Sequence, residues 1–197
     1  MQIQLIANNF ARALFLSFVF LSVSCQAVEK KGVVEGISVN TFKHPASFSL
    51  NGRRLGLDKK LKSDFYLVDS VFVLNEVPFE VNGKKFFWFV VKHPSKPQSF
   101  GKGFCGAGTE DYLYLIGFAD AKLSYVDRLL VRSCLNNIEV GHGEDLGKEQ
   151  LVFEQKNGIV KFSQRRVNES KTSVDELTLT PAPHKILQTA IRLKDAD

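Results

Sequence analysis

The residues best suited by type to do chemistry are Cys105, Cys134 and the glycines around the first of them. Cys105 sits in the run Gly101-Lys-Gly-Phe-Cys-Gly-Ala-Gly-Thr-Glu-Asp111. A thiolate there could attack an acyl carbon, with backbone N–H groups near Gly106 and Gly108 receiving the oxyanion and His142 or His184 serving as base. Nothing in the spacing selects either histidine, and Cys134 offers the thiol an oxidation partner. The run also contains a literal G-x-G-x-x-G in Gly101, Gly103 and Gly106. Dinucleotide binding needs a strand before that motif and a helix after it, so that phosphate meets the helix N-terminus. Here a proline-containing loop precedes and a β-rich stretch follows, so no cofactor is expected.

A disulfide fits the pair better. A hairpin folded about Ala119-Asp120 sets Ile116 opposite Leu123, Tyr114 opposite Tyr125 and Cys105 opposite Cys134. Cross-strand partners satisfy the Cα spacing a disulfide requires, and closing so long a loop stabilises the fold by about 3–4 kcal/mol on the chain-entropy account. The expectation is a bridge Cys105–Cys134 that stiffens the glycine-rich tip, which would present Lys102, Phe104, Glu110 and Asp111 to a partner.

Other constellations are weaker. His44, His93, His142 and His184 show no metal-ligand spacing, and Cys-x-x-Cys is absent. Gly141-His-Gly-Glu-Asp145 carries one imidazole and two carboxylates but reads as a solvated loop, so no metal is expected. The adjacent acids Glu110-Asp111, Glu144-Asp145 and Asp175-Glu176 would point to opposite faces wherever the chain is extended, which argues against paired acid–base work. No catalytic residue is therefore assigned. The chain has 17 Phe but a single Trp, a composition that suits sheet packing rather than a carbohydrate platform; Phe72, Phe79, Phe87, Phe89, Phe118, Phe153 and Phe162 are the expected core. The net charge of +5 is spread over Lys59/Lys60/Lys62, Lys84/Lys85 and Arg165/Arg166, most with acids nearby, unlike the concentrated stripe of a nucleic-acid binder.

The elements that must position these residues read as strands. Asn-Gly occurs at 51–52, 82–83 and 157–158, a hairpin signal because a type I′ turn needs positive φ at both central residues. Folded about those turns, Glu80 faces Lys85, Phe79 faces Phe86 and Val77 faces Trp88; in the third hairpin Glu154 faces Lys161 and Phe153 faces Phe162. Further strands are expected at 32–39, 65–74, 86–91, 112–118, 123–132 and 176–180. Pro183–Leu193 can close the chain as a short C-terminal helix, although Ile186, Leu187, Ile191 and Leu193 suit a strand almost as well. The fold class is all-β: an antiparallel sandwich or barrel of about nine or ten short strands with one intramolecular disulfide.

The first 27 residues read as a secretory leader. An 11-residue apolar run from Ala13 to Val23 follows Arg12, too short to span a bilayer, which takes about 20. Cleavage after Ala27 suits small residues at Cys25 and Ala27; a lipoprotein cut before Cys25 is the alternative, its leucine one place too early. A single β domain, 28–197, would then reside in the periplasm or outside the cell. Without a catalytic set, the expected role is an exported non-enzymatic protein-binding module, an inhibitor or immunity protein that blocks one cell-wall-degrading toxin or hydrolase. The alternatives are an envelope lipoprotein tethered through Cys25 and a cysteine or carboxylate hydrolase. No nucleic acid is expected as a partner, and membrane only through a lipid on Cys25.

Overall fold

Two short Asn-Gly turns establish the local rules of this chain. The computed structural model describes residues 36–95, 109–140, 151–168 and 171–196, all within the unit Val33–Asp197. The leader, Cys25, Lys102, Phe104, Cys105 and His142 lie outside the described residues. At the first turn Asn51 and Gly52 have φ of 50° and 76°, joining β2 (Ser47–Leu50) to β3 (Arg53–Arg54). With β1 (Ile37–Asn40) they form a three-stranded antiparallel sheet. At the second turn Asn82 and Gly83 have φ of 51° and 73°, joining β6 (Phe79–Val81) to β7 (Lys84–Pro94). The register there is as expected, Phe79 opposite Phe86 and Glu80 opposite Lys85.

Among the described residues the large sheet has 11 strands. It contains β4 (Gly56–Leu57), β5 (Ser70–Val73), β6, β7, β8 (Thr109–Ala119), β9 (Lys122–Ser133) and β10 (Ile138–Val140), followed by β11 (Val152–Glu154), β12 (Ile159–Asn168), β13 (Lys171–Ala182) and β14 (Lys185–Ala196). Its main path runs β14-β13-β12-β10-β9-β8-β7-β5, with β11 on β12, β6 on β7 and β4 on β9. All pairings are antiparallel except β4 with β9. The single described helix, α1 (Lys59–Asp64), starts at Asp58, whose Oδ1 accepts from Leu61 N at 2.7 Å.

Both faces of β7 are buried. Phe86, Trp88 and Val90 join Leu113, Leu115, Val131, Val160, Phe162, Leu177 and Leu179 in one core, whereas Phe87, Phe89 and Val91 join Phe48, Leu61, Phe65, Tyr114 and Ile116 in another. The alternation follows from the two-residue period of a strand. In the first core the sheet curls on itself: Phe79 stacks 6.5 Å from Trp88, and Trp88 Nε1 donates to the Gly158 carbonyl at 2.7 Å, linking β7 to the turn before β12. In the second, β1–β3 and α1 cover the opposite face, with Phe48 stacked 5.3 Å from Phe89.

The all-β, antiparallel expectation holds, and several details change. The described residues form 14 strands, not nine or ten, because pieces of two to four residues such as β3, β4 and β10 make no visible run in a sequence. The proposed terminal helix is the strand β14, paired along β13 from Ala182 opposite Lys185 to Thr172 opposite Ala196. Residues 65–74 are not one central strand: Phe65 is the C-cap of α1 and is fully buried, and only Ser70–Val73 is extended, at the sheet edge. Phe72 is correspondingly 40% exposed rather than core. Val77 does not face Trp88, since Pro78 has no N–H to continue the ladder.

Two hairpins also have a different register. The turn after β8 uses Asp120 and Ala121, with φ of 50° and 57°, so Ile116 pairs with Tyr125 and, past two bulges, Glu110 pairs with Ser133. The alignment that set Cys105 opposite Cys134 is therefore lost. In the third Asn-Gly hairpin Glu154 pairs with Ile159 and Phe153 with Val160, and only Gly158 has positive φ. The slip is two residues, which preserves the faces. Lys161 Nζ still reaches Glu154 Oε1 at 2.7 Å, now on a diagonal.

Candidate binding surface

The densest polar cluster lies where α1 meets β7, β8 and β9. Tyr114 of β8 is fully buried; its hydroxyl donates to Asp64 Oδ2 at 3.3 Å, accepts from Arg128 NH1 at 2.9 Å and lies 3.3 Å from His93 Nε2. Arg128 also reaches Asp64 Oδ2 at 3.4 Å, and its guanidinium lies 4.8 Å from the centre of the Tyr112 ring. Lys60 closes on Asp64 Oδ1 at 2.8 Å. Burial pushes the Tyr114 and Tyr125 phenols up, so neither is a phenolate near neutral pH. Burial likewise holds the His93 imidazole below its ordinary value, opposed by a hydrogen bond with the Leu67 backbone.

That cluster is suited to holding α1 on the sheet. Its carboxylate is shared between two cations and a phenol, and its tyrosine is kept neutral. Asp58 adds a second tie, since its Oδ2 accepts from Tyr125 N at 2.6 Å while its Oδ1 caps α1. Among the described residues no group of three or more His, Cys, Asp or Glu side chains could hold a metal ion.

The glycine-rich tip is only partly described. Glu110 and Asp111 are not exposed at a tip; they belong to β8, at 8% and 0% exposure. Asp111 lies 3.8 Å from Arg132 across the β8–β9 pair, and Ser95 Oγ donates to Glu110 Oε1 at 3.3 Å. Buried carboxylates in a ladder cannot make first contact with a partner. Cys134 directly follows the last residue of β9, Ser133, and Cys105 lies a few positions before the first residue of β8, Thr109.

Three exposed large apolar side chains share one strand, β14. This 12-residue strand is one end of the sheet path, so its outer edge pairs with no other described strand. Asp127 Oδ2 accepts from Ile186 N at 2.8 Å and ties the beginning of β14 to β9. Beyond that anchor Leu187, Ile191 and Leu193 are 44%, 60% and 52% exposed. Leu187 and Ile191 alternate onto one face. Leu193 is the extra residue where the register passes from Asp175–Arg192 to Val174–Lys194. At the start of the strand Pro183 and His184 line a groove of about 620 Å³, with Lys84, Gly117, Asp120 and Tyr125 on its other sides.

These surfaces escaped the sequence reading for different reasons. The four apolar residues of the terminal segment suit helix and strand alike, and the two-residue loop Pro183-His184 that makes them a strand carries no Asn-Gly signal. The Tyr114 cluster joins residues 14 to 50 positions apart, which no local pattern records. Asp58 carried a usable signal, an N-cap residue three places before Leu61. Comparison with known proteins finds no match for the chain among family models, curated proteins or solved structures.

Proposed function

We propose that this chain is an exported, non-enzymatic protein-binding module that inhibits a cell-wall-degrading toxin or hydrolase, and that β14 is where the partner docks. The observation that carries it is the set Leu187, Ile191 and Leu193 exposed along one sheet-edge strand. An extended partner segment laid beside β14 would gain main-chain hydrogen bonds, while alternate apolar side chains cover Leu187 and Ile191. Large exposed apolar groups on an edge strand are an aggregation hazard, which a dedicated partner removes. The fully paired β13 behind it keeps the strand extended before binding, so little ordering entropy is lost. A leader ending at Ala27 delivers the module to the periplasm; a lipid on Cys25 would tether the same module to the envelope.

A Cys105–Cys134 bridge belongs to the same proposal. Cys134 directly follows β9, and Cys105 precedes the first residue of β8 by four positions in the sequence; at roughly 3.3–3.6 Å per residue that length is enough for the bridge to form without the lost register. The native protein should take up no iodoacetamide at either cysteine until it is reduced, as read by intact mass; labelling of Cys105 beforehand rules the bridge out.

The docking proposal is checked with immobilised protein and periplasmic extract from its own cells. Wild type should capture a wall hydrolase and suppress its lysis of isolated peptidoglycan. The double variant Leu187→Glu/Ile191→Glu should lose at least tenfold in apparent affinity, since each apolar side chain covered contributes about 1.5–3 kcal/mol. Its melting temperature should stay near wild type because both positions face solvent. Equal capture by the variant, or capture without inhibition, would overturn the assignment.

A further inference from the structure

The small sheet carries a second, chemically different surface. Two hollows lie across β1–β3 and the loop between β1 and β2, of about 370 and 360 Å³. They are adjacent, for Lys43, Ser47 and Arg54 line both. Lys62 and His44 line the second, and the hydrogen-bonded hydroxyls of Ser38 and Ser49, 2.7 Å apart, line the first. No Asp or Glu lines either hollow.

What marks this groove is three cations gathered on one concavity with no acid in its lining. Several cations elsewhere are held by acids, Lys60 and Arg128 by Asp64, Lys161 by Glu154, Arg165 by Glu139 and Arg192 by Asp175. Lys43, Arg54 and Lys62 form no ion pair with any described residue. Nearby Asp58 is spent on two backbone N–H groups. Three uncompensated cations around one concavity raise the local anion concentration and steer anionic ligands into it. Arg54 contributes a planar fork that matches phosphate or carboxylate oxygens in pairs, while the two lysines act as mobile point charges. Each hollow also falls in the size range of small-ligand sites.

We infer that the groove shared by Lys43, Arg54 and Lys62 binds a ligand carrying several adjacent anionic groups, an oligomeric phosphate or carboxylate. A single phosphate can meet only part of this set, so affinity rises with the number of linked charges. The ligand site is separate from β14 and does not depend on the docking proposal.

The test is isothermal titration of the full chain at low ionic strength with tripolyphosphate, trigalacturonate and inorganic phosphate. Tripolyphosphate or trigalacturonate should bind one to one, at least tenfold tighter than inorganic phosphate, and whichever binds tighter identifies the anionic group. Lys43→Ala, Arg54→Ala and Lys62→Ala should each weaken binding several-fold, and the triple variant should abolish it. All three side chains are exposed, so the fold tolerates their loss. The control Lys84→Ala/Lys156→Ala removes the same kind of charge elsewhere and should leave affinity within twofold. Absence of binding to both oligomers, affinity unchanged in the triple variant, or an equal loss in the control would overturn the site.

Discussion

Gly158→Ala should unfold the protein far more readily than the same change at Gly52 or Gly83, although all three glycines follow asparagine. Each has positive φ, 76° at Gly52, 73° at Gly83 and 63° at Gly158. An alanine there costs about 1–2 kcal/mol in backbone strain alone. Around Gly52 and Gly83 a new methyl would meet nothing within 4 Å. At Gly158 it would overlap the ring of Phe79, which is itself packed against Phe86, Trp88 and Phe153. Relieving that overlap adds roughly 1–3 kcal/mol of overpacking, and shifting the turn also disturbs the Trp88 hydrogen bond to the Gly158 carbonyl. The expected loss is about 2–5 kcal/mol at Gly158, against about 1–2 at the other two. Urea denaturation reads this as a drop in midpoint at constant slope. Three equal losses would mean that the seam between β7 and the turn before β12 is not closed as described.

Asn75→Ala should be nearly as damaging, by about 3 kcal/mol, because its side chain stands in for a missing piece of ladder. β5 and β6 both pair with the same edge of β7 and leave a gap between Val73–Phe89 and Phe79–Phe86. Asn75 fills it at 2% exposure: Oδ1 accepts from Trp88 N at 2.8 Å, and Nδ2 donates to Val77 O at 2.8 Å and Phe86 O at 3.4 Å. Removing the amide orphans a buried donor and weakens two acceptors, each at about 1–3 kcal/mol. Asn75→Leu is the discriminating control. If the site contributes by packing, leucine restores stability; if it contributes by hydrogen bonding, leucine stays as low as alanine. Recovery in the leucine variant would refute the ladder explanation.

The sequence was legible wherever a local rule was obeyed in full. Asn51-Gly52 and Asn82-Gly83 each supply two positive-φ residues, so turn and register follow together. Asn157-Gly158 supplies only one, the turn widens, and the register moves by two residues while keeping its faces. The β8–β9 pair shows the opposite case: the turn moves by one residue and two bulges follow, at Asp111/Tyr112 and Leu115/Ile116, so long-range alignment could not be extrapolated to the cysteines. The binding surfaces were less legible still. The basic groove depends on Lys43, Arg54 and Lys62 lacking acids in space, and Lys62 looked compensated in the sequence because Asp58 and Asp64 flank it; the structure commits Asp58 to backbone and Asp64 to Lys60 and Arg128. Residues 187–193 offered both a helical and an extended reading, and pairing with β13 decides between them.

The burial of both faces of β7 has a consequence for how the chain finds its alignment. A half-buried strand is kept in step by water, since sliding by one position drives its greasy side outward. From Phe86 to Val91 this strand is greasy on both sides, so the solvent exacts no such toll and an offset copy would be nearly as well hidden. What forbids the offset must be geometry at its flanks: the tight bend at Asn82-Gly83 on one side and the amide of Asn75, seated on Trp88, on the other. These two asparagines are the pins that set the count for the hydrophobic segment between them.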